Sequence, residues 1–203
     1  MRIGIDFDNT IACYDGVFHA AALERGLIPP HLDRDKNSVR DYLNGYGKAS
    51  DFTELQGYVY GARMDLASPY PGFSDFVTAA RKGGHDLFII SHKTRYPILG
   101  PKHDLHAAAR GFLASHGLVG ERAGQIAPSC VFFELTKEAK VRRIAALGCD
   151  AFIDDLPEIF GQPGFPEATR RILFDPIDQF RDIKFDSCST WAEIAAELCG
   201  EHV

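Results

Sequence analysis

Five short apolar runs, at residues 2–6, 87–91, 130–133, 151–154 and 172–174, are separated by segments whose apolar residues recur with the helical period. Parallel strands need a crossover of a dozen or more residues between them, and a helix fills that role. The alternation predicts an α/β fold: a Rossmann-like, three-layer arrangement with a mainly parallel sheet between helices. Phe73, Phe76, Val77 and Ala80 share one helical face before Gly83. Asp104 caps a stripe of Leu105, Ala108, Ala109, Phe112 and Leu113 that ends at Gly117. A third helix runs from a Thr136 cap to Gly148, and Thr190 and Glu193 form a capping box for the last.

About eighty residues lie between the first two runs, far more than one crossover helix requires. The excess predicts a small helical insertion after the first strand, over residues 15–68, closing at Pro69-Tyr70-Pro71-Gly72. Residues 1–14 and 69–203 then form the core domain. Gly45, Gly47, Gly57 and Gly61 interrupt the helical pattern inside the insertion.

Composition narrows the functional classes. Charge is mixed, with 28 acidic and 22 basic residues in no long block of one sign, which argues against a nucleic-acid duplex as partner. No apolar run approaches membrane-spanning length, and the N-terminus carries carboxylates where a signal peptide needs an apolar core, so a cytoplasmic protein is expected. The five cysteines form no C-x-x-C pair and the eight histidines no zinc-ligand spacing.

In open parallel sheets, functional groups gather at the carboxyl ends of strands. The polar residues ending the runs are Asp6, Ser91, Glu134 and Asp154. Asp6 and Asp8 are two apart, so an extended chain turns both carboxylates to one side. Phosphate monoesters resist attack because their oxygens repel an anionic nucleophile, and a cation must mediate. Magnesium, with its preference for hard oxygen ligands, suits Asp6 and Asp154 from two strand ends. Asp6 is then the expected nucleophile and Asp8 the residue that protonates the leaving alcohol and deprotonates water.

The segment Asp6-Phe7-Asp8-Asn9-Thr10 resembles the D-x-D-x-T motif of the haloacid dehalogenase-like (HAD) hydrolase superfamily. Ser91 is similar to that family's second-motif Ser/Thr, Lys137 or Lys140 to its lysine, and Asp154-Asp155 to its acidic motif. The resemblance implies a magnesium-dependent phosphatase with an aspartyl-phosphate intermediate, acting on a small phosphorylated metabolite, with the insertion as a helical cap. It implies Asp6, Asp8, Asp154 and Asp155 at the metal and Ser91 and Thr10 at the phosphate, and His92, directly after Ser91, is a further candidate for binding the phosphate. An aspartate at position 8 is what separates the family's phosphatases from its dehalogenases. Of the two lysines, Lys137 is expected at Asp6, because it lies in the first turn after the Thr136 cap; Lys140 follows one turn on, on the same face. Arg95, after Ser91, and Arg63, near the end of the insertion, are candidates for gripping the rest of the substrate. Two other readings use the same residues: a phosphoacceptor signalling domain, and a catalytically silent relative that binds a phosphorylated ligand.

Overall fold

The computed structural model describes residues 1–181 and 184–200. Six strands form one sheet: β1 (Arg2–Ile5), β4 (Asp86–His92), β5 (Val131–Glu134), β6 (Ala151–Asp154), β7 (Arg170–Phe174) and β8 (Asp186–Cys188). Their order is β5-β4-β1-β6-β7-β8, and every neighbouring pair is parallel. The three-layer parallel architecture is therefore as expected, with β8 added at one edge. Two short strands, β2 (Ala12–Cys13) and β3 (Ser68–Pro69), form a separate two-stranded ribbon.

The chain divides into two compact units, Met1–Ala12 with Pro69–Lys93 and Ala114–Val203, and Cys13–Ser68 with Thr94–Leu113. In the first, β1 pairs with both β4 and β6 and so lies at the centre of the sheet. Gly4 is required there: a Cβ would lie 2.6 Å from the Phe152 ring. Helix α6 (Lys137–Leu147) covers one face through Val141 and Ile144, which pack with Ile90, Phe152 and Leu173. On the other face α4 (Phe73–Lys82) and α8 (Trp191–Cys199) meet where Trp191 packs edge-on against Phe73 and at a tilt against Phe76 and Phe174. The Thr190–Glu193 capping box is present. Trp191 also donates its indole N–H to the Thr10 carbonyl at 3.2 Å, which ties the C-terminal helix to the loop after β1.

The second unit contains α1 (Val17–Glu24), α2 (Lys36–Gly45), α3 (Ala49–Tyr60) and most of α5 (Leu105–Ser115). An aromatic cluster of Tyr14, Phe18, Phe52 and Tyr60 fills its core. Gly57 does not break α3. It lets Pro97 approach so closely that a Cβ would sit 2.5 Å from it, and Gly61 does the same for His103. These contacts explain why residues 94–113 join this unit, a grouping that the strand and helix pattern did not reveal. No helix among the described residues is long and apolar enough to cross a membrane.

Candidate active site

Because β4, β1 and β6 are adjacent and parallel, their carboxyl ends share one edge of the sheet. Asp6 follows β1 directly, Ser91 lies one residue before the end of β4, and Asp154 is the last residue of β6. Asp6, Ser91 and Asp154 are all buried. After Asp6 the chain makes a tight loop in which the amides of Ile11 and Ala12 both donate to the Phe7 carbonyl, at 3.0 and 2.9 Å. Asn9 supplies the left-handed residue that the loop needs, at φ 56°.

Carboxylate oxygens of Asp6, Asp154 and Asp155 lie within 4.8 Å of one another. Asp155, adjacent to Asp154, reaches this cluster because the chain turns immediately: Asp154 Oδ1 accepts from the Leu156 amide at 3.0 Å, just ahead of α7 (Pro157–Phe160). The Thr10 hydroxyl donates to Asp155 Oδ1 at 3.4 Å, so Thr10 steadies the acid cluster.

Lys140, and not Lys137, reaches the acids. Its ammonium donates to Asp6 Oδ1 at 2.5 Å and to Asp154 Oδ2 at 2.6 Å, and the side chain is 2% exposed. Lys137 instead pairs with Glu158 at the surface. Side chains on a helix lean toward its N-terminus, so the residue one turn inside covers the strand ends while the first-turn residue overshoots them. That same lean, with Lys140, Val141 and Ile144 forming the buried stripe, is the sequence signal that identifies Lys140.

Asp8 differs from its expected place too. Its carboxylate is not part of the three-acid cluster; Lys93 donates to both of its oxygens, at 2.9 and 2.7 Å. His92 follows Ser91 in an extended strand and so faces the other way. Burial, followed by the nearby Lys140 ammonium, holds its imidazole below the usual range, which leaves a neutral ring poorly suited to an anion. Arg95 pairs with Asp104 at 3.1 Å, and Arg63 pairs with Glu24 and Asp65, all within the second unit.

Comparison with known proteins places this geometry. No protein-family model and no curated protein matches the sequence. Solved structures do match across nearly the whole chain. A predicted phosphatase from Clostridium acetobutylicum aligns over 97% of both chains with a TM-score of 0.61 at 15% identity. A HAD family hydrolase from Deinococcus radiodurans R1, with bound phosphate and sodium, aligns over 97% of this chain and 94% of its own, with a TM-score of 0.60 at 16% identity. A HAD-hydrolase from Bacillus subtilis bound to magnesium covers 97% of each chain with a TM-score of 0.52 at 12% identity. The chain has the HAD-hydrolase fold.

On that fold the acid cluster carries unbalanced charge, because three carboxylates share one ammonium. Burial above all, then Asp154 and Asp8, push the Asp6 carboxyl up to about 7 against the pull of Lys140. Burial first, then Asp154, Asp6 and Asp8, raise Asp155 well above the ordinary carboxylate range. A donor set of hard anionic oxygens with surplus negative charge fits a divalent cation such as magnesium. The surplus also fixes a pH dependence. Without metal, native Asp6 holds a proton that the unfolded chain, with its carboxyl near 3.8, has released. The contribution of Asp6 to stability therefore falls as pH rises from about 4 to about 7 and is level above that. The melting temperature with chelator is expected to drop by several degrees over this window, and the drop should shrink in Asp6→Asn. An unchanged slope in that variant contradicts the assignment.

Proposed function

We propose that the protein is a magnesium-dependent phosphatase that hydrolyses a small phosphorylated metabolite through an aspartyl-phosphate on Asp6. The observation that carries the proposal is the convergence of Asp6, Asp154 and Asp155 at one sheet edge, with Asp8 held beside them by a separate lysine. Asp6, Asp154 and Asp155 would hold the ion. When bound, magnesium supplies the positive charge that lets an anionic carboxylate approach an anionic phosphoryl group.

The remaining work belongs to side chains of the chain itself. An Asp6 oxygen attacks phosphorus, and the Ser91 hydroxyl donates to a phosphoryl oxygen. Lys140 fixes the orientation of Asp6 and offsets part of the charge on Asp6 and Asp154. Asp8 gives a proton to the departing alcohol and later takes one from the water that hydrolyses the aspartyl-phosphate. The predicted phosphatase from Clostridium acetobutylicum and the phosphate-bound hydrolase from Deinococcus radiodurans share this fold, which supports the choice of reaction. The insertion over residues 15–68 is read as the helical cap that the resemblance implies, and the protein as cytoplasmic.

The test is release of inorganic phosphate from a panel of sugar, nucleoside and sugar-acid phosphates by purified protein. Hydrolysis that requires magnesium and stops on chelation is expected. Failure to hydrolyse any phosphate ester under varied divalent metals rejects the reading.

A further inference from the structure

Lys93 does not belong to the four motif elements that the sequence resembles, yet it is 4% exposed and its ammonium donates to both carboxylate oxygens of Asp8. A lysine this deeply buried is uncommon unless paired, since desolvating an ammonium is costly. The Lys93 amide donates to the Glu134 carbonyl at 2.8 Å, which anchors the end of β4 to β5. Its ammonium lies 5.4 Å from the centroid of the Phe7 ring, and Phe7 is the residue between Asp6 and Asp8. The two buried lysines thus divide the acids: Lys140 serves Asp6 and Asp154, and Lys93 serves Asp8.

Resting on the phosphatase reading above, the geometry points to Lys93 as the positioning residue for Asp8, holding its carboxyl where it exchanges protons with the leaving oxygen and then with water. Asp8 sits on a short loop, with its side chain 21% exposed against 3% for Lys93. Each carboxylate oxygen offers two lone pairs, so pairing of both oxygens with Lys93 is compatible with a proton on either of them. In the first half-reaction an Asp6 oxygen bonds to phosphorus as the P–O ester bond breaks, and the ester oxygen leaves as alcohol with the proton from Asp8. In the second, water attacks phosphorus, the bond from phosphorus to Asp6 breaks, phosphate departs, and Asp8 recovers a proton from that water. Lys93 keeps its own protons throughout.

The chemistry predicts a dependence on the leaving group. Departure of 4-nitrophenolate needs little protonation, whereas departure of an alkoxide needs a great deal. In Lys93→Met, kcat/KM for the best alkyl phosphate of the panel is expected to fall about 100-fold, within the usual range for general acid–base catalysis. The value for 4-nitrophenyl phosphate should fall less than about fivefold, with little change in the KM of either. In an Asp8→Asn background, adding Lys93→Met should change alkyl kcat/KM by less than about twofold, because the carboxylate that Lys93 positions is then absent. The double variant also removes the Asp8 charge that Lys93→Met alone leaves without its ammonium, so this comparison stands even if the single variant folds poorly. Equal losses on both esters, or a further loss of about tenfold or more in the Asp8→Asn background, overturn the role of Lys93 and leave the phosphatase reading intact. A wild-type protein that hydrolyses no ester removes both.

Discussion

Asp6→Asn is expected to lower kcat by about 10⁴-fold or more on every phosphate ester that the wild type accepts, while the metal-free protein melts no lower than wild type. The amide keeps the shape of the side chain and still accepts from Lys140, but it cannot attack phosphorus to form the acyl phosphate. The absence of a stability loss follows from the cluster, where burial and Asp154 already disfavour a charge on Asp6. Removing that charge relieves repulsion. Kinetics of Asp6→Asn beside its thermal melt therefore separate chemistry from folding. Retained turnover, or inactivity accompanied by unfolding, is the contrary result.

Lys140→Met should have the largest effect on stability. The variant retains an unbranched side chain but leaves Asp6 and Asp154, 5% and 0% exposed, without their ammonium. Breaking a buried pair by removing one partner costs about 3–5 kcal/mol, and turnover should fall with it because Asp6 loses its orientation. Lys137→Met is the control. Its pair with the half-exposed Glu158 is worth about 0–1 kcal/mol, and activity within a few-fold of wild type is expected. Chemical denaturation and steady-state rates of the two variants check both statements; comparable losses in the two would contradict the placement of Lys140.

The parallel sheet was legible in the sequence because buried parallel strands are short, continuous apolar runs, and each of the four helices read outside the insertion carried a cap or a glycine stop. The acid pair Asp6/Asp8 and the pair Asp154/Asp155 were legible for the same reason: they end those runs. β8 was not, since Asp186-Ser187-Cys188 is an edge strand of three residues with two exposed. The adherence of residues 94–113 to α3 was also hidden, because Gly57 and Gly61 read locally as helix breakers and only their neighbours Pro97 and His103 reveal them as packing sites. The choice between Lys137 and Lys140 depended on the direction in which helical side chains lean, which spacing alone does not convey. Lys93 had a usable signal. It lies two residues after Ser91 at the end of an extended strand, so it shares the side that Ser91 faces, just as Asp8 is two residues after Asp6.

Crystals soaked in manganese, a magnesium substitute with usable anomalous scattering, give the most direct measurement. A single anomalous peak within bonding distance of carboxylate oxygens from Asp6, Asp154 and Asp155, lost in Asp154→Asn, is the expected result. A fully exchanged crystal with no peak among these three side chains, or with the ion bound elsewhere on the molecule, would contradict a shared metal site at the end of β1 and β6.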